Sequence, residues 1–381
     1  PYDLLLMGLL CLFFATGLRI PREIRVPVLL VGAFALSNVV AAAVSLNPLE
    51  TIRSLGIRTY MVVAWIFFAC VVASEPRRVF PALWMGYLVA AVIATVFGIA
   101  EYFGYIDSVQ WEGGMRAKGP FKDPNVFGPF LVPAAMYCMS RMKTPGARGR
   151  LLYLPLFLLF AFGVLISFSR GAWLNLAATA GLYFIISFVL ARSLRRRVGW
   201  LIAGGGAVLA LLVMVMLAVS YTTVADRFYE RAVVARSYDT GVGGRFYTQK
   251  LALRQAGVTP LGIGPGRTDE QFGLEPHNLY LHVLVEGGWV AGLSWLLFVI
   301  YTLSSASRLL RWRSDLREDA VLVFCCLAGV LAQSAFIDST HWRHMWLLLA
   351  LAWGLIVTAR REARGMPVAA GPVRGRAGTA M

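Results

Sequence analysis

Four small groups of residues in this 381-residue chain have the types and spacing to handle an anion and a hydroxyl group. Arg170 stands between Ser167-Phe168-Ser169 and Gly171-Ala172-Trp173, at a junction of two apolar runs with almost no loop. An arginine there either snorkels to a membrane interface or faces a watery cavity and binds an anion; polar groups in apolar surroundings are functional candidates. Arg245 follows Gly243-Gly244, and glycine lets a phosphate approach the backbone closely. Lys250 and Arg254, four apart, share one face of a helix expected over 245–256; a solvated basic face is the alternative for at least one of them.

The third group is Glu275-Pro276-His277-Asn278-Leu279-Tyr280-Leu281-His282. His277 closes a polar stretch, and imidazole is the side chain suited to take a proton near neutral pH. His282, deeper in an apolar run, reads as a packed, neutral, hydrogen-bonded ring. His341 and His344 read as interfacial anchors with Trp342 and Arg343. The fourth group is the stretch 116–125, with Lys118, Lys122 and Asn125; Asp123-Pro124-Asn125 has the composition of a turn that starts a helix, so capping accounts for Asp123 and Asn125 equally well. Arg267, Asn278 and Tyr280 complete the set expected to bind substrate. No GxxxxGK[ST], HExxH, DxD or GxSxG occurs, so neither nucleotide hydrolysis nor a bound metal is expected.

The elements that must carry these residues are membrane helices. Hydrophobic residues make up 58% of the chain and charged ones 15%, with a mean hydropathy of +0.67. Soluble domains are nearer half and a quarter. About eleven uncharged runs can each span a bilayer, near 2–18, 26–46, 58–74, 79–105, 126–140, 151–168, 171–191, 198–220, 278–306, 320–337 and 343–359. Pro129 and Pro133 make the short run at 126–140 a candidate for a kinked or half-inserted element. All five cysteines lie in apolar runs, which implies no loop disulfide and no zinc site.

The net charge of +16 is confined to alternate loops. The segments 19–25, 75–78, 141–150, 192–197, 308–319 and the tail from Arg360 carry 22 of the 36 basic residues and six of the 20 acidic ones. The positive-inside rule makes that side cytoplasmic, and no nucleic-acid partner is needed to explain the charge. The candidate residues collect on the opposite side, in loops 106–125, 169–170, 221–277 and 338–344. The 57-residue loop 221–277 exceeds the length of an ordinary connection. It reads as a short surface helix over 225–235, a break at Gly241, Gly243 and Gly244, a second helix, and a return turn at Gly262-Ile263-Gly264-Pro265-Gly266. Residues 1–363 form one transmembrane domain in this reading, and 364–381 a disordered cytoplasmic tail.

Pro276-His277-Asn278-Leu279-Tyr280-Leu281, then Glu286-Gly287-Gly288-Trp289, following a long extracytoplasmic loop, resembles the signature of the O-antigen ligase and O-antigen polymerase family. Ser169-Arg170-Gly171, Gly244-Arg245 and Lys122-Asp123-Pro124-Asn125 also fit the family's arginine positions and pre-helix turn, so the resemblance covers about residues 100 to 300. It implies a metal-independent, membrane-embedded C-type glycosyltransferase of the bacterial inner membrane. Such an enzyme moves a glycan from an undecaprenyl-pyrophosphate carrier to a hydroxyl acceptor at the periplasmic face, in the ligases a lipid A-core sugar, with no cofactor. By the same resemblance His277 is the base, and Arg170 and Arg245 hold the pyrophosphate. The family usually has about twelve spans, and this chain opens on Pro1, so one further N-terminal helix is expected. Ligase is favoured over polymerase or protein O-glycosylation because a single histidine stands at the loop–membrane junction. A flippase is the alternative from another class, with inverted repeats or broken helix pairs as its mark.

Overall fold

A computed structural model describes residues 2–106, 116–142, 147–191, 193–219 and 244–366. The surface helix expected over 225–235, Gly241, Gly243 and residues 367–381 of the expected tail lie outside the described residues. Among the described residues there is no strand, and the chain is an all-α polytopic membrane protein. Its helices are α1 Tyr2–Ala15, α2 Arg25–Ala42, α3 Pro48–Ser74, α4 Pro76–Tyr102, α5 Pro124–Arg141, α6 Ala147–Ile166, α7 Arg170–Val189 and α8 Leu194–Val219. After them come α9 Arg245–Val258, α10 Thr268–Phe272, α11 Leu279–Arg308, α12 Arg317–Gln333 and α13 Arg343–Ala363. All but α9 and α10 coincide with the runs read as spans. Among the described residues five helices, Arg22–Ala42, Pro48–Ser74, Pro76–Tyr102, Arg170–Val189 and Leu279–Arg311, are long and apolar enough to cross a bilayer by length and composition alone.

The interior is made by α5, α12 and α13, whose residues are buried along most of their length. One helix, α5, runs through both prolines of the run read as kinked or half-inserted. Pro133 has no N–H to offer the preceding turn, and at this point Tyr87 of α4 donates its hydroxyl to the Phe130 carbonyl at 2.6 Å. This bond ties α5 to α4 within one turn of Pro133. Leu29, Leu36, Met85, Val89, Ile93, Leu174 and Ile185 stand exposed on α2, α4 and α7, as a lipid-facing surface requires.

One end of the bundle is tied by its basic residues. Arg77 pairs with Asp315 at 2.9 Å and Glu362 at 3.2 Å, Arg141 with Asp319 at 2.5 Å, and Arg364 with Glu23 at 3.0 Å. The other end is tied by main chain, around a break in α11. At Gly288 the backbone turns to φ 79° and the helix kinks. The kink frees helical groups for the return turn of the long loop. Ile263 and Gly264 donate N–H to the carbonyls of Val285 and Glu286, and Trp289 N–H goes to the Pro260 carbonyl. Ser37 of α2 donates to the Gly287 carbonyl at 2.7 Å.

This exchange leaves no room for a side chain. A Cβ on Gly288 would lie 2.3 Å from the Pro260 carbonyl oxygen, and one on Gly262 2.3 Å from that of Glu286. Backbone cannot swing aside as a side-chain tip can, and positive φ adds a second penalty for any L side chain. Gly288→Ala is expected to lower the thermal midpoint in detergent by an amount equivalent to about 1–3 kcal/mol or more. Gly181→Ala is the control: its Cβ meets nothing within 4 Å, and helix propensity makes that change neutral or stabilising. Equal midpoints for the two variants would show that the loop does not lean on the kink.

Candidate functional site

The four groups picked out in the sequence all lie at the end of the bundle where the long loop returns. The junction of α6 and α7 is a tight elbow. Phe168 is fully buried with φ 47°, the Ser169 hydroxyl caps α7 by accepting from Ala172 N–H, and Trp173 donates its ring N–H to the Val164 and Leu165 carbonyls. Arg170 is the first residue of α7 and half-buried, so its guanidinium leaves from a fixed, helix-starting position.

The 116–125 segment is bound to that elbow. Arg116 donates to the Ser167 carbonyl at 3.0 Å and to Asn125 Oδ1 at 3.1 Å. Glu101, at the end of α4, takes the Lys118 and Gly119 amides at 3.0 and 2.9 Å, with the Lys118 ammonium 4.0 Å away. Asp123 caps α5 by accepting from Asn125 N–H at 2.8 Å, the capping expected of it. Asn125 thus has a second duty as acceptor for Arg116, and Lys122 is exposed.

Arg245 opens α9 directly after Gly244. Ala252 and Ala256 dock this helix on Val285 of α11, and Trp289 donates its ring N–H to the Ala256 carbonyl at 2.7 Å. Gln249, one turn along from Arg245, donates to the Pro276 carbonyl at 3.0 Å and so holds the residue before His277. His277 itself has φ 47°, a left-handed conformation that a non-glycine residue adopts at some cost and that the surroundings must enforce. Asn278 caps α11, with Leu281 N–H at 3.1 Å, while Leu279 N–H donates to the carbonyl of Ser334, just past α12, and the Tyr280 hydroxyl to that of Leu331 in α12, both at 2.8 Å.

Burial pushes the His277 pKa below the usual imidazole value, and the Arg245 charge pushes it the same way; Asp123 and Asp338 oppose them. At neutral pH the ring is a neutral acceptor, ready to take a proton. Burial moves Glu275 and Asp269 in the other direction, above the usual carboxylate range, helped by the charge of Asp338. Arg267 ends the return turn, its guanidinium largely covered and 3.1 Å from Glu270. Lys250 and Arg254 are exposed. Lys250, Asn278 and Tyr280 line an open groove of about 640 Å³ between α9 and α11, whose walls are otherwise mostly Phe246, Leu253, Leu281, Leu284, Leu293 and Leu296.

Beneath this surface lies a set of charges that the sequence reading passed over. Arg58 of α3 is buried and donates to Asn38 of α2 and to Glu286 of α11. Glu286 also takes His282 Nε2 at 3.1 Å, and Asp338 stands 3.8 Å from the same nitrogen. His282 is buried as expected, but its ring lies against two carboxylates and a guanidinium, which corrects the picture of a neutral ring in apolar packing. The pattern that marks Arg58 is a charge within an apolar helix; placing the span boundary at residue 58 hid it. His344 and Trp342 are buried and stack on each other with ring centroids 5.1 Å apart, so they belong to the core and are not interfacial anchors. His341 is exposed and lies 3.6 Å from Asp338.

The field at His277 can be tested without any substrate. Diethyl pyrocarbonate acylates neutral imidazole, so the pH dependence of His277 modification, mapped by mass spectrometry, follows its deprotonation. The midpoint is expected below the ordinary histidine value of about 6.5. It should move up in Arg245→Gln, which removes a charge that disfavours imidazolium, and stay low in Arg245→Lys. A midpoint at the ordinary value that ignores Arg245→Gln contradicts the placement of the two residues together.

Residues 155–296 match the model of a family described as O-antigen ligase. No curated protein matches the chain. The matched segment runs from α6 into α11 and contains Arg170, Arg245, His277 and Glu286. Over that segment, which is less than half of its length, the chain is similar to the O-antigen ligase family.

Proposed function

We propose that this protein is a glycosyltransferase that moves a glycan from undecaprenyl pyrophosphate to a hydroxyl acceptor, a sugar of lipid A-core, at the periplasmic face of the bacterial inner membrane. The observation that carries the proposal is that the helix opened by Arg245 holds the residue before His277. A neutral imidazole in an enforced backbone conformation lies in the field of an arginine 32 positions earlier, on a helix that also grips the neighbouring carbonyl. Those are the two requirements of the reaction: an acceptor for the hydroxyl proton and a cation for the leaving group.

In the reaction the acceptor oxygen bonds to the anomeric carbon, the bond from that carbon to pyrophosphate breaks, and the bonding pair leaves on the phosphate. The acceptor proton passes to a ring nitrogen of His277. Arg170 and Arg245 hold the diphosphate through paired N–H donors and offset the charge that grows on it. Lys118, Lys122, Asn125 and Arg267 border the same end and supply further donors to the glycan diphosphate. Because pyrophosphate leaves readily once its charge is met, the reaction runs without metal or nucleotide. The apolar groove beside α9, with Lys250 on its wall, favours a donor that carries a hydrocarbon chain over a soluble one. The concentration of basic residues on the opposite loops supports the periplasmic assignment of this end.

Reconstitution with a lipid-pyrophosphate glycan and candidate acceptors is the test. Transfer to lipid A-core is expected; lengthening of the lipid-linked glycan selects a polymerase, and translocation without transfer selects a flippase. His277→Ala is expected to slow turnover about 10²–10⁴-fold while donor binding survives. Arg170→Lys and Arg245→Lys should each impair transfer strongly in folded protein, since lysine cannot make the paired contact. A wild-type rate in His277→Ala puts the base elsewhere.

A further inference from the structure

The strongest unassigned feature is the chain of charges beneath the site. Its central member, Glu286, is fully buried, and its two oxygens face different ways. Oε2 takes the Arg58 guanidinium and His282 Nε2. Oε1 takes the Gly266 N–H at 2.9 Å, the Arg267 N–H at 3.1 Å and the Thr268 hydroxyl at 3.2 Å. The same turn is held from α3, where the Thr51 hydroxyl donates to the Pro265 carbonyl at 3.0 Å. At the far end, Asp338 faces His282 and is itself clamped by the Thr340 amide and hydroxyl at 3.0 and 2.8 Å.

We propose that Glu286 is a positioning residue for the transfer site: neutralised on one oxygen by Arg58 and His282, it uses the other to hold the main chain of residues 266–268 and so presents Arg267 to the anionic donor. Arg58 and Asp338 close the two ends of the array. This rests on the reading of this end as the site of glycan transfer.

The physical case begins with cost. A buried charge with one partner removed is strongly destabilising, whereas a buried pair exchanged for apolar side chains of similar volume often leaves the fold intact. Stability alone therefore does not call for an ion pair in this position. What an apolar pair cannot do is accept two backbone N–H groups and a hydroxyl. Those donors lie at the end of a turn with positive φ at Gly262, Gly264 and Gly266, whose earlier amides are already held by the Val285 and Glu286 carbonyls. Arg267 follows directly, and α10 carries Asp269, whose carboxyl feels both Lys122 and Asp338. Holding the turn therefore fixes the side chains that border the donor.

Two double variants separate these duties from stability. Arg58→Met with Glu286→Gln removes both charges but keeps an amide oxygen where Oε1 stands. Arg58→Met with Glu286→Leu removes the acceptor as well. Both are expected to insert and to melt cooperatively in detergent. Hydrogen exchange at the Gly266 and Arg267 amides should be fast in the leucine double variant and at least ten-fold slower in the glutamine one. Steady-state transfer from a lipid-pyrophosphate glycan should show a donor KM at least ten-fold higher for the leucine than for the glutamine double variant, with a smaller change in kcat. Equal exchange in the two variants overturns the positioning role whatever the activity. Fast exchange with the same donor KM leaves Glu286 purely structural and also overturns it. Absence of transfer in the wild type refutes the reading of the site; in that case binding of the lipid pyrophosphate itself, equal in both variants, overturns the proposal and ten-fold weaker binding in the leucine variant supports it.

Discussion

The guanidinium of Arg58 on the carboxylate of Glu286 joins two helices far apart in the sequence through a buried ion pair. It is a contact between α3 and α11 in the interior of a chain made largely of apolar helices, where an unpaired charge is costly. Once the pair is formed, Asn38 binds the arginine from α2, His282 and the return turn bind the glutamate, and Asp338 faces the histidine. Burial by itself raises the Asp338 pKa, yet His282 and the donors from His341 and Thr340 outweigh it, so this carboxylate stays ionised well below its usual range. Its negative charge then acts outward on His277 and Glu275. The buried array thus adds to the field at His277 and Glu275, where burial is the larger influence and, at His277, Arg245 comes next.

The backbone does a matching job at the same level. A helix that continued unbroken through residue 288 would use its own carbonyls, and the loop would have nothing to bond. The break at Gly288 gives away the Val285 and Glu286 carbonyls and the Trp289 N–H, and the loop takes all three. Unsatisfied groups of this kind are expensive in a membrane, so kink and loop are stable only together. That coupling docks α9, the helix that Arg245 opens, against α11. The Glu-Gly-Gly-Trp run is the sequence trace of this arrangement: the glutamate holds the turn, the glycines permit the approach, and the tryptophan seals α9.

The helices were legible in the sequence because charge-free length is a strong signal and tertiary context changes it little. The eleven runs read as spans each contain a helix, and the helix expected at 245–256 ends two residues later than read. Local chemistry was legible as well: Asp123 caps α5, and His277 stands where the polar loop ends. What the sequence did not yield were features that depend on partners far along the chain. Arg58 pairs with a residue 228 positions away, and nothing near it names that partner. Asp338 and His344 lie in one short turn with Trp342, yet packing buries all three and leaves His341 exposed. Pro129 and Pro133 suggested a kinked or half-inserted element, yet α5 runs helical through both.

The claim at the centre of this account is that Arg170, Arg245 and His277 serve one donor molecule. The most direct measurement is an experimental structure with a non-transferable lipid-pyrophosphate sugar bound. The account predicts both guanidinium groups on the same diphosphate, the His277 ring facing the anomeric carbon from the side open to an acceptor, and the hydrocarbon chain leaving between α9 and α11. A diphosphate bound among the basic residues of the opposite end, or held by one arginine with the other turned to solvent, would contradict it.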